Sequence, residues 1–336
     1  MRDTTRHTNL AELDVVDLSG LFDGDTAAVG RVAARLEAPA RTLGAFHIVG
    51  HGISREELGR FERAMRVLFD LPIAEKQAMR RSRDNAWGWF DEELTKNRPD
   101  WKEIFDFGAE RSEGEPTPAH SDGVNRWPKG QDEIRRELVA HYRRCERIAR
   151  PLVRALCVAL GLEAGALDHA MHDHSSFLRL NRYAACPEPA PADAPHFPER
   201  GHLGVHHHTD AGVLTLLYQD DVGGLQFERD GFFQLVTPIS GALTVNLGDM
   251  FQVWSNDRFQ SPVHRVLAPR ERTRHSAPFF LNPAYDAVAE PLAPLLGPET
   301  PARYRPLPWA HFREQRSAGD FADYGAEIQI SDYRIG

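Results

Sequence analysis

Between residues 177 and 281 the chain is a succession of short β-rich runs, and nothing else in the sequence narrows the fold as far. The runs are 177–183, 213–218, 225–227, 232–236, 243–247, 263–267 and 276–281. Turn-forming pairs separate them: Gly223-Gly224, Asp230-Gly231, Gly248-Asp249 and Pro269-Arg270. Many short strands with regularly spaced turns indicate a sandwich or barrel. Upstream the period changes. Residues 25–39 and 54–70 carry apolar side chains at helical spacing, as in Leu58, Phe61, Met65 and Leu68. Ser54 with Glu57 three residues on is a capping box for the second helix. A short strand, 44–49, lies between these helices, and residues 131–160 form a long amphipathic helix. The expected fold is mainly β with flanking helices: a jelly-roll barrel with a helical N-terminal part and a helical tail. The expected division is 1–120, a helical support at 121–175, a core at 176–290 and a tail from 291 to 336.

Composition excludes several function classes. The 336 residues carry a formal charge of −9 with no basic stripe, which argues against a nucleic-acid partner. No apolar stretch approaches the roughly 20 residues of a membrane span, and the N-terminus lacks the apolar core of a signal peptide. A cytoplasmic monomer or weak homo-oligomer is expected. Cys145, Cys157 and Cys186 lack zinc-type spacing and are read as reduced thiols rather than nucleophiles.

The chemistry gathers in four segments. In an extended strand, side chains two apart face one way, so His208 and Asp210 of His208-Thr209-Asp210 reach one point. His264, in Ser261-Pro262-Val263-His264, supplies a second imidazole from another strand. Two histidines and one carboxylate leave one face of an octahedral metal open, the arrangement of non-heme Fe(II) oxygenases. Arg274 and Ser276 share a strand face by the same alternation, and an Arg fork beside a hydroxyl suits a carboxylate. Asn181 and Tyr183 form a further pair two residues apart. His206 and His207 are read as incidental to the site.

With these motifs the chain resembles the Fe(II)/2-oxoglutarate-dependent dioxygenases of the isopenicillin N synthase-like group. The resemblance extends to Gly44–Ile53, Asp100–Asp106, Asn125-Arg126-Trp127-Pro128, Gly223–Gln226 and Val245–Met250. It implies a double-stranded β-helix barrel in which His208, Asp210 and His264 bind Fe(II). Arg274 and Ser276 would hold the distal carboxylate of 2-oxoglutarate, with Tyr183 and Asn181 beside it and O2 at the remaining metal position. Arg182 and Ala184-Ala185 depart from the aromatic and prolines usual in the family. The implied activity is oxidation, most simply hydroxylation, of a small molecule with release of succinate and CO2.

Two alternatives stand beside it: an isopenicillin N synthase-like Fe(II) oxidase using no 2-oxoglutarate, and a non-catalytic metal-binding barrel. Substrate contacts are expected from the N-terminal part, the 187–205 loop and a tail acting as a lid. Trp89, Phe90, Phe105, Phe280 and Tyr285 serve equally well as substrate wall or as core.

Overall fold

The computed structural model describes residues 10–22, 26–82, 84–110, 123–319 and 325–335. Eight strands make the central jelly roll, four in each of two separate sheets. Leu203–His208, His264–Leu267, Leu225–Arg229 and Phe232–Val236 lie side by side in a smaller sheet. Phe177–Tyr183, Arg274–Leu281, Leu214–Gln219 and Leu243–Leu247 lie side by side in a larger one. Between the sheets, Tyr183, Val205, Leu217, Leu225, Phe227, Val236 and Val266 pack into one apolar cluster that closes one end.

The N-terminal part is not purely helical. Its strands Val15–Asp17 and Ala45–Val49 extend one edge of the larger sheet, and Glu103–Gly108 and Gly88–Phe90 extend the other. Its helices, Thr26–Thr42 and Arg55–Phe69, pack on the long helix Asp132–Ala159. The capping box forms as expected. Ser54 N donates to Glu57 Oε2 at 2.8 Å and Glu57 N to Ser54 Oγ at 3.2 Å, satisfying two otherwise orphaned donors. The long helix buries Ile134, Leu138, Tyr142, Cys145, Leu152 and Leu156, a stripe at helical spacing. Tyr142 meets Phe279 of the larger sheet edge-on, with ring centroids 5.1 Å apart. Burying each large side chain contributes about 1.5–3 kcal/mol, so this stripe holds the larger sheet rigid behind the site.

The three cysteines are free and buried, and burial pushes the Cys145 thiol up. Among the described residues no helix is long and apolar enough to cross a membrane.

Candidate active site

The smaller sheet carries the histidines. His208 ends the Leu203–His208 strand, His264 opens the His264–Leu267 strand, and the two are direct antiparallel partners. Their ring centroids lie 4.3 Å apart. Asp210 lies two residues beyond the end of its strand, not within it as alternation assumed. The turn still delivers it: Asp210 Oδ1 is 3.7 Å from Nε2 of each histidine. The three ligand atoms fall within 4.8 Å of one another.

The surroundings fix which atoms face inward. His208 Nδ1 lies 2.8 Å from the carbonyl of His206, and His264 Nδ1 lies 3.1 Å from that of Pro262. A carbonyl only accepts, so both Nδ1 atoms carry the proton and both Nε2 atoms are bare, as a metal requires. Asp210 is tethered by its outer oxygen. Asn246 Nδ2 donates to Oδ2 at 2.7 Å and Thr215 Oγ1 donates to the same atom, which leaves Oδ1 for the histidines. Burial, then the neighbouring His264, lowers His208 to about 3, so the ring is neutral. Burial opposes the charge of Asp210, but His264, His208 and the Asn246 and Thr215 bonds outweigh it. The carboxyl stays below its usual range.

Close approach of backbone makes this loop possible. A Cβ on Gly248 would lie 2.3 Å from the Gly212 carbonyl and 3.0 Å from that of Asp210, so only glycine admits the contact.

Arg274 occupies the other half of the cavity, on the larger sheet, and is 1% exposed. Nη1 donates to Ser276 Oγ at 3.0 Å and Nη2 to Gln219 Oε1 at 3.3 Å, while the guanidinium stacks 4.8 Å from the Tyr183 ring. Gly204 gives that ring its room, since a Cβ there would sit 2.9 Å from it. Among the described residues no carboxylate comes within ion-pairing distance of Arg274, and its Nε has no hydrogen-bond partner. Asn181, whose Oδ1 is likewise buried without a partner, reaches Ser276 Oγ at 3.5 Å. Asp220 compensates the guanidinium from beyond ion-pairing distance, and a bound anion would add direct compensation. The donor set thus fits both groups that the motifs imply: a divalent metal at the triad and a carboxylate at Arg274.

The same cavity opens past the triad to residues that, Phe280 apart, the sequence did not mark. Leu94, Phe177, Pro278, Phe280 and Trp309 form its apolar wall. Of the five aromatics weighed in the sequence, only Phe280 lines it, and the rest belong elsewhere in the structure. Its polar wall is a buried ionic network. Lys102 pairs with Glu93 at 2.6 Å and Asp100 at 2.9 Å. Arg179 pairs with Glu93 and Asp106 at 2.8 Å each, and Arg81 pairs with the same two at 3.0 and 3.1 Å. Burial works against both charges of the Lys102–Glu93 pair. Asp100 and Glu93 nevertheless push Lys102 up, and Arg179, Lys102 and Arg81 hold Glu93 down.

His206 stays outside the cavity lining; its backbone N and its Nδ1 each donate to Asp100 Oδ1 at 3.0 Å, tying its strand to the ionic network. One expectation needs correction. The 187–202 stretch does not line the cavity. Buried Arg265 gathers the carbonyls of Ala192, Ala194 and Pro195 at 2.9–3.1 Å, holding the loop back, and only Val205 of the 187–205 loop faces the cavity. The tail does reach the site. Helix Trp309–Gly319 contributes Trp309, Arg313 and Arg316, and Arg316 Nη2 donates to the Thr209 carbonyl at 2.7 Å, between His208 and Asp210.

Comparison with known proteins agrees with this geometry. The family model of the 2OG-Fe(II) oxygenase superfamily matches residues 174–283, and that of the non-haem dioxygenase in morphine synthesis N-terminal region matches residues 13–130. Gibberellin 20 oxidase 2 of Oryza sativa subsp. indica is 33% identical over 316 residues, covering 91% of this chain and 76% of that protein. Gibberellin 2-beta-dioxygenase 8 of Arabidopsis thaliana is 30% identical, covering 90% and 82%. Among solved structures, JOX2 in complex with 2OG, Fe and JA superposes with a TM-score of 0.79 at 26% identity, covering 96% of this chain and 89% of that one. Neurospora crassa T7H in complex with alpha-KG and thymine gives a TM-score of 0.77 at 25% identity, covering 93% and 98%. The chain belongs to the 2OG-Fe(II) oxygenase superfamily: it is a non-heme dioxygenase that uses Fe(II) and 2-oxoglutarate to oxidise a small molecule.

Proposed function

We propose that His208, Asp210 and His264 are the Fe(II) ligands, that Arg274 and Ser276 bind the distal carboxylate of 2-oxoglutarate, and that the enzyme hydroxylates a free small molecule. The observation that carries the assignment is the pair of bare Nε2 atoms converging on Asp210 Oδ1, 3.7 Å from each. Iron and 2-oxoglutarate supply the oxidising power when bound, with O2 consumed and succinate and CO2 released.

The chain's own groups supply geometry. Asn246 and Thr215 keep Asp210 oriented and ionised. Arg274 and Ser276 offer a donor fork, with the Tyr183 ring stacked beneath the guanidinium and the Asn181 amide alongside. The apolar cluster of Val205, Leu217, Leu225 and Val266 excludes water from that end. Substrate enters between the Leu94–Thr95/Arg98–Pro99 hairpin and helix Trp309–Gly319. Its carbon skeleton rests on Phe177, Pro278, Phe280 and Trp309. The formal charge of −9 supports a free small molecule rather than a base within nucleic acid.

Succinate release from 2-oxoglutarate, screened over gibberellin-, flavone-, jasmonate- and thymine-like compounds, tests the proposal. The expected result is substrate-stimulated succinate that His208→Ala and Arg274→Ala abolish. Stimulated turnover that survives both substitutions refutes the assignment.

A further inference from the structure

We propose that the N-terminal strand Ala45–Val49 aims the cosubstrate arginine through a hydrogen-bond relay, His47–Thr244–Gln219–Arg274, making Gln219 and Thr244 positioning residues for 2-oxoglutarate. The inference rests on the reading that Arg274 holds the distal carboxylate.

The four residues sit on four adjacent strands of the larger sheet: Ala45–Val49, Leu243–Leu247, Leu214–Gln219 and Arg274–Leu281. Arg274 Nη2 lies 3.3 Å from Gln219 Oε1, Gln219 Nε2 lies 3.1 Å from Thr244 Oγ1, and Thr244 Oγ1 lies 3.2 Å from His47 Nδ1. The two bonds nearest Arg274 have forced directions. A guanidinium can only donate, so the Gln219 oxygen faces it and the amide NH2 faces Thr244. The Thr244 oxygen accepts from that amide, and the Thr244–His47 contact beyond it runs either way with the tautomer of the ring. Burial keeps the ring neutral by lowering its pKa. His47, Thr244 and Arg274 are each 3% exposed or less, and Gln219 between them is half-buried.

The relay fixes the guanidinium plane at two corners, Gln219 on one and Ser276 on the other. It leaves Nε without a partner. Without Gln219 a buried Nη2 loses its acceptor, and the fork is free to rotate about the Tyr183 ring. No residue of the relay except Arg274 would touch the cosubstrate. The role is therefore orientation, and it belongs to the distal carboxylate alone.

That restriction gives the test. The Fe(II) protein is titrated anaerobically with 2-oxoglutarate, and separately with 2-oxovalerate, which has the same chelating end but no distal carboxylate; visible charge-transfer absorption reports binding. Gln219→Met should raise the Kd for 2-oxoglutarate about tenfold, the scale of one hydrogen bond to a charged group. Thr244→Val should raise it about threefold to tenfold, and Thr244→Ser should restore it. Fe(II) affinity and 2-oxovalerate binding should not move. Wild-type 2-oxoglutarate binding in both Gln219→Met and Thr244→Val overturns the relay. So does an equal loss for both 2-oxo acids, which marks a merely structural role. Should Gln219→Met fail to fold, the Thr244 pair carries the test. Arg274→Met is the control: if it binds 2-oxoglutarate as wild type does, the carboxylate assignment itself has failed, and the relay with it.

Discussion

Arg316 joins the tail helix to the metal loop, and replacing it with leucine should weaken the iron site from a residue that would touch neither iron nor cosubstrate. Its side chain is only 9% exposed. It donates to the Thr209 carbonyl at 2.7 Å and the Ile328 carbonyl at 3.3 Å, and it pairs with Glu327 at 3.0 Å. Breaking a buried ion pair typically costs about 3–5 kcal/mol. Glu327 is partly exposed and retains Lys96 at 3.5 Å, so the low end applies: about 3 kcal/mol of global stability. The local effect is separable. Thr209 lies between His208 and Asp210, and loss of an outer-shell partner typically weakens metal binding about 10- to 100-fold. Urea unfolding of the metal-free protein measures the first quantity, and anaerobic Fe(II) titration of folded protein measures the second. Arg316→Lys should recover part of both. An Arg316→Leu protein that loses stability yet binds Fe(II) like wild type would refute the coupling, leaving the helix as simple packing.

Three further outcomes follow from the same geometry. Asn246→Leu removes the 2.7 Å donor to Asp210 and should weaken Fe(II) binding about 10- to 100-fold, read by the same titration. Gly248→Ala drives a Cβ to 2.3 Å from the Gly212 carbonyl; soluble yield and Fe(II) stoichiometry should both collapse, and a normal protein would show that the loop can yield. His141, stacked on Phe61 at 3.7 Å, is lowered to about 3 by burial and then by Arg144 and His51, against an ordinary 6.5. Between those values the unfolded chain binds the extra proton, so stability is retained above pH 6.5 and lost as pH falls below it. The loss is about 2 kcal/mol at pH 5, and His141→Phe should flatten that slope in urea titrations at pH 7 and 5.

The convergence of the triad was legible in the sequence because its signals are local. His208-Thr209-Asp210 and Arg274-His275-Ser276 each place two functional groups within three residues, and period-two alternation suffices to pair them. Even Asp210, which leaves the strand, lies too near His208 for the turn to carry it away. The substrate end was not legible. Glu93, Lys102 and Arg179 meet across three separate segments, and nothing in their spacing announces that they will. Gln219 reads as the polar end of an apolar strand, and Arg316 as one more arginine in an arginine-rich chain. Their roles come from long-range approach, which periodicity does not encode. The loop at 187–202 misled for the opposite reason. Its Pro-rich composition suggests freedom, but Arg265, 70–73 residues away, pins its carbonyls.

The two matched family regions, 13–130 and 174–283, share one continuous sheet, yet they contribute unequally to the cavity. The oxidising half rests on barrel strands whose neighbours are already committed to one another. The proposed entrance lies between a two-strand hairpin and one helix of the tail, with Lys96 and Arg316 both paired to Glu327. Selection can therefore rewrite what enters while the machinery that burns the cosubstrate is inherited intact. A designer has the same freedom. Exchanging residues 94–99 and 309–319 as a matched pair between relatives should retarget the enzyme, whereas a crossover between the two family regions would have to splice through hydrogen-bonded register on both edges of the sheet.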